Sequence, residues 1–128
     1  MKMHMNYTAL KGLISKNFGD LWRSVFFTAT EDPAAETFHR WLQTTGPGRP
    51  GIIVKNYPLK DKSVNVYCSC GARVACSTCN TTMTTLNRRV QKGVDMGIAL
   101  TAIRQLGNYD SIVLTTGDSD FSALCEYL

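Results

Sequence analysis

Long apolar runs are missing from this sequence: none of its 128 residues belongs to a stretch approaching the roughly 20 apolar residues needed to cross a bilayer. The opening residues, Met1 to Asn6, also lack the apolar core and small-residue cleavage site of a secretory signal. These absences predict a soluble, cytoplasmic protein with no membrane partner. No internal repeat is present. The breaker Gly46 to Gly51 (GPGRPG) lacks the lysine and spacing of a phosphate-binding P-loop, so it reads as a plain loop. At 44% hydrophobic and 19% charged residues, the composition excludes wholesale disorder. The length suits a single domain over residues 1–128.

Charge is distributed unevenly. Between Arg49 and Lys92 stand eight basic residues (Arg49, Lys55, Lys60, Lys62, Arg73, Arg88, Arg89, Lys92) and one acid, Asp61, while the rest of the chain holds six basic and nine acidic residues. A basic middle between acidic flanks suits a polyanion such as nucleic acid. The same lysines and arginines could equally form a solvated loop.

Four of the five cysteines, Cys68, Cys70, Cys76 and Cys79, fall within twelve residues. An odd count without a secretory signal argues against a disulfide framework and for thiolates on a metal. The spacing predicts a structural zinc knuckle inserted at about 64–82, with Gly71 turning the backbone between the pairs. An iron–sulfur cluster and four unligated thiols are the alternatives, and His4 or His39 could replace one thiolate. Zinc there would stiffen a loop too poor in apolar residues to fold alone and would set its cations beside the acidic end of the chain. Cys125, in an apolar stretch, is expected to be a buried small hydrophobe.

Apolar residues Leu10, Leu13, Ile14 and Phe18 recur at helical spacing over Asn6 to Phe18. Trp22 to Thr28 reads as a strand, and Glu31, Asp32 and Pro33 open a helix that runs to about Gln43. Ile52 to Lys55 begins a second strand. Gly93 to Leu106 is a helix apolar nearly all round, expected to be buried on more than one side. Asp110 to Thr116 reads as an apolar strand, and Asp118 to Leu128 starts another helix. Strands alternating with helix-sized segments predict an α/β sandwich with a mostly parallel sheet.

The sharpest chemical signal is Gly117-Asp118-Ser119-Asp120-Phe121, directly after that last strand. Ligands gather beyond the carboxyl ends of parallel strands, and paired carboxylates there suit Mg²⁺ or Mn²⁺. Asp118 or Ser119 could instead simply cap the next helix. Asp95, at the head of the apolar stripe Ala99, Ala102 and Leu106, is expected to point toward the core or its edge. Three carboxylates meeting there would activate water against a phosphodiester.

The run Lys92-Gly93-Val94-Asp95-Met96-Gly97-Ile98-Ala99-Leu100, then Tyr109-Asp110-Ser111-Ile112-Val113-Leu114, then Gly117-Asp118-Ser119-Asp120-Phe121, resembles the NYN domain family, the LabA-like members of the PIN-like nuclease superfamily. The resemblance covers most of the chain and implies a three-layer PIN-like (Rossmannoid) α/β sandwich, here with a small zinc-knuckle insertion. It implies a metal-dependent nuclease acting on RNA, with Asp95, Asp118 and Asp120 in the acidic cluster. Arg88, Arg89, Lys92 and Arg73 would hold phosphates, and Asn6, which could match an asparagine of the family's opening motif, would also contact the substrate. Tyr57 and Tyr67 could stack on bases. The family's opening aspartate has no counterpart in Met1 to Met5, and the family pattern continues past Leu128, so the chain resembles a domain clipped at both edges. Either it is a fragment, or a completing partner chain supplies the rest, or the activity has been lost; a homo-oligomer is a further partner expectation. A non-catalytic RNA-binding or assembly module on the same fold is the rival reading, and a zinc-stabilised protein adaptor is a third.

Overall fold

The computed structural model describes residues 5–64, 66–83 and 86–128, leaving the side chains at positions 63, 64 and 86–88 undescribed. The chain runs α1 (Tyr7–Phe18), β1 (Val25–Thr28), α2 (Pro33–Leu42), β2 (Ile53–Asn56), β3 (Lys60–Val64), β4 (Leu86–Val90), α3 (Val94–Arg104) and α4 (Ser122–Tyr127). Local chemistry explains where the helices start. The Asn6 side chain accepts from the Ala9 N–H at 3.0 Å, and that of Asp32 accepts from the Ala34 N–H at 2.9 Å, with Pro33 behind it. Gly93, at φ 84°, makes the left-handed turn from which α3 begins.

β1 and β2 pair in parallel, Val25 against Ile53 through Thr28 against Asn56. Successive residues of a strand face opposite sides. Phe26 meets Tyr7 of α1 and Phe38 of α2, at ring separations of 5.9 and 6.1 Å. On the other side, Lys55 lies over the Phe27 ring and donates to Thr101 Oγ1 of α3 at 2.9 Å. Helices therefore cover both faces of this pair. The GPGRPG loop folds back on the end of α2: the Ile52 N–H donates to the Leu42 carbonyl and the Gly51 N–H to that of Thr44, each at 2.8 Å. Leu42 and Pro50 are fully buried beneath it.

The second pair, β3 with β4, is antiparallel, Lys60 against Val90 through Val64 against Leu86. Neither strand was expected, and the sheet is not mostly parallel: among the described residues each parallel or antiparallel unit has two strands. Ile112–Thr116, expected as a strand, joins no ladder. Its apolar residues suit a sheet, but a strand exists only against a neighbour, and Ile112 and Val113 stay exposed. α3 likewise buries Val94, Gly97 and Ala102 but leaves Met96 62% exposed, so it is covered along one stripe rather than all round. Cys125 is exposed, not buried. No described helix is long and apolar enough to cross a membrane.

Candidate functional site

The three aspartates occupy two places. Asp95 is the second residue of α3 and is exposed, not turned to the core. Asp118 precedes the 3₁₀ turn Ser119–Phe121: its Oδ1 accepts from the Asp120 N–H at 2.9 Å, while its own N–H donates to Thr116 Oγ1 at 3.2 Å. Phe121 buries its ring and anchors this turn, leaving Asp118 and Asp120 exposed. Among the described residues, no three His, Cys, Asp or Glu side chains are grouped closely enough to hold a metal ion.

The cations organise around the β3–β4 hairpin. Residues directly opposite in an antiparallel pair share a face, and the register sets Asp61 against Arg89 and Lys62 against Arg88. The Asp61–Arg89 side is neutralised: Arg89 forms an ion pair with Glu31 and lies 3.7 Å from Asp61. The other side carries Lys60 and Lys62, with the register position of Arg88 opposite Lys62; the Arg88 side chain lies outside the described residues. Like charges directly opposite repel, so this register position concentrates positive charge on one side of the hairpin. The hairpin sits at the carboxyl edge of the parallel pair. Glu31, which pairs with Arg89, lies three residues past β1, and β3 starts four residues past β2. Thr30 and Asn56 close that edge with hydrogen bonds of 3.0 and 2.9 Å.

Lys92 and Lys60 border an open hollow of about 310 Å³ floored by Tyr57, Gly97 and Leu100. Tyr57 is no base-stacking platform. Its ring lies on the α3 backbone so closely that a Cβ at Gly97 would stand 2.1 Å from its hydroxyl. Asn6, expected to contact substrate, spends its side-chain oxygen on the cap of α1. His4 lies outside the described residues, and His39 packs against Phe26 and Phe38.

Beyond β3 the chain makes a short meander. Tyr67 bridges Arg73 and Ala75 bridges Thr82, both antiparallel, so the segment from Ala72 to Cys76 is its middle strand. The first turn, with Cys68 and Cys70, lies at one end of that strand, and the second, with Cys76 and Cys79, lies at the other. Backbone N–H groups of Thr78 and Cys79, then the Cys79 side chain, bring the Cys76 thiol down to about 7. The backbone N–H and side chain of Cys70 similarly lower Cys68.

The model of the NYN domain matches residues 2–128. The chain belongs to the NYN domain family. No curated protein and no solved structure matches it. NYN domains have a PIN-like α/β fold and form a nuclease family whose members act on RNA, typically with divalent metal.

Both metals expected from the sequence can be tested against this NYN domain's geometry. For Mg²⁺ or Mn²⁺ the donor chemistry is right, since hard carboxylate oxygens suit a hard ion. Among the described residues, however, no three such side chains are grouped to hold the ion. For zinc the thiolates are right, but the two pairs are separated by the middle strand, about 13 Å at roughly 3.3 Å per residue. A tetrahedral ion with sulfurs at about 2.3 Å cannot span that. Sequence reading located every one of these ligand types. It missed the two-sided hairpin, whose signal is the alternation Lys60-Asp61-Lys62.

Proposed function

We infer that this NYN domain is a nuclease acting on RNA, with the cationic side of the β3–β4 hairpin as the surface that takes the phosphate backbone. One observation carries this reading: Lys60 and Lys62 share a side on which the register opposes cation to cation, at the carboxyl edge of the parallel pair. Lys92, beside Lys60 at the hollow, extends that surface toward α3, and Arg73, bridged to Tyr67 on the middle strand of the meander, is a further exposed cation. Arg89 acts differently, because its ion pair with Glu31 fixes the hairpin against the segment after β1.

Asp118 and Asp120 are the acidic element of the proposed nuclease, on a turn held by the buried Phe121. The test is cleavage of a single-stranded RNA in Mn²⁺ by the full chain and by Asp118→Asn, with salt-dependent RNA binding measured alongside in EDTA. Cleavage by the parent chain that Asp118→Asn lacks establishes the nuclease. A second reading, RNA binding without chemistry, is favoured because no three His, Cys, Asp or Glu side chains are grouped to hold a metal ion among the described residues. Binding that persists in EDTA without cleavage in Mn²⁺ selects it.

A further inference from the structure

The hollow between the end of β2 and α3 joins two kinds of surface. Met96 and Leu100, four residues apart and so on one face of α3, line it and are exposed. Tyr57 lies lower, against the helix backbone where Gly97 has no side chain. Lys60 and Lys92 complete the lining, and no acidic residue takes part. Neither lysine has an ion-pair partner among the described residues. Apolar side chains beside unpaired cations complement an anion that carries a flat, weakly polar body.

Size and position narrow the occupant. Ligand pockets run from roughly 300 to 1,000 Å³. At about 310 Å³ this one stands at the small end, with room for a single base and its sugar. Lys60 belongs both to the hollow and to the cationic side of the hairpin, two residues from Lys62 on the same side. A phosphate backbone lying along that side therefore passes the mouth of the hollow. A base can turn into it only if it is unpaired, because a duplex keeps its bases stacked inside. The Tyr57 hydroxyl is pressed onto α3 at Gly97, so apart from the lysines the lining side chains offer little to a base edge.

We propose that this hollow is a base seat for single-stranded RNA, in which one unpaired base rests on Met96 and Leu100 while its flanking phosphates meet Lys60 and Lys92. The proposal rests on the RNA reading above and adds which strands the surface takes: unpaired ones, with little preference among the four bases. Met96 suits such tolerance, since its unbranched thioether adapts to rings of different size.

The test measures binding of the full chain in EDTA, over a salt series, to three labelled RNAs of equal length: a single strand, the same strand with abasic riboses, and its blunt duplex. The intact single strand should bind about five-fold or more tightly than the abasic strand. It should also bind more tightly than the duplex, although charge alone predicts the opposite order, because the duplex has the denser phosphates. Met96→Ala should weaken single-strand binding about five-fold at an unchanged salt slope. Lys92→Ala should flatten that slope by about 0.7. Equal binding of intact and abasic strands, or a duplex bound as tightly as the single strand, overturns the base seat and leaves the hairpin as a phosphate surface. If none of the three RNAs binds with salt dependence, the RNA reading fails and the seat falls with it. A chain that is dimeric, and that Met96→Ala makes monomeric at unchanged RNA affinity, gives the hollow to a second copy and overturns the proposal. The comparison of RNAs uses the unaltered chain, so it stands even where a variant fails to fold.

Discussion

β1–β2 and β3–β4 are both two-stranded, yet they are held by different forces. The parallel pair is covered on both faces, by Tyr7 and Phe38 on one and by α3 on the other. The hairpin is built from Lys-Asp-Lys-Ser-Val and Leu-Asn-Arg-Arg-Val and pairs with itself, with Glu31 as an anchor at its base. Burial of apolar area stabilises the first, whereas charge placement shapes the second. Mutations should therefore separate cleanly: stability lives around β1–β2, and affinity for polyanions lives on the hairpin.

The largest effects belong to the covered pair. Leu42 is fully buried between α2 and the GPGRPG loop. Leu42→Ala should destabilise the chain by about 3 kcal/mol, read as a lower urea midpoint with an unchanged slope. Gly97→Ala comes next. Its Cβ would meet the Tyr57 hydroxyl at 2.1 Å, and the ring cannot retreat without lifting off α3. A loss of about 2 kcal/mol is expected, and Tyr57→Phe in the same chain should recover part of it. If Gly97→Ala melts like the parent, the close approach of β2's end to α3 is wrong.

On the hairpin the readout is salt dependence. Lys62→Ala should weaken RNA binding and flatten the salt dependence of the affinity by about 0.7–0.9 in the logarithmic slope, one phosphate contact's worth. Arg89→Ala should leave that slope unchanged, because Glu31 and Asp61 already occupy its guanidinium. Equal slopes for the two variants would show that the hairpin does not have a binding side and a structural side.

How much of this was legible beforehand follows from the range of each signal. The helices were readable because periodicity and caps are local: Asn6, Asp32-Pro33 and Gly93 mark three helix starts on the sequence itself. β3 and β4 escaped because polar, charged strands carry no apolar alternation, and only their mutual pairing makes them strands. Ile112–Thr116 failed the opposite way, apolar enough to be read as a strand but without a ladder. The site divides similarly. Residue types and spacing announced carboxylates and thiolates, while grouping depends on chain path. A single middle strand sends the two cysteine turns to opposite ends, and no spacing rule shows that.

Asn6 sharpens the comparison at the edge of the covered region. Its Oδ1 satisfies the Ala9 N–H at the start of α1. Asn6→Ala should cost about 1 kcal/mol of stability, with Asn6→Ser recovering most of it. RNA affinity should stay at the parent value in both variants. A drop in affinity at unchanged stability would return Asn6 to the substrate side.

The smallest effect is a titration at the far end of the hairpin's meander. Backbone N–H groups, Thr78 first, are the largest cause of the lowered Cys76 thiol, about 7, and the Cys79 side chain comes after them. The thiolate is the reactive form, so alkylation of Cys76 by iodoacetamide should rise with pH and reach half its limiting rate near 7. The order of causes then predicts two different outcomes. Cys79→Ser keeps both backbone donors and should move the profile little. Thr78→Pro removes the leading donor, since proline has no N–H, and should push the midpoint upward toward the ordinary thiol range. If Cys79→Ser moves the profile more than Thr78→Pro does, the neighbouring side chain holds the thiolate rather than the turn. The turn would then be a consequence of the cysteine pair and not its cause.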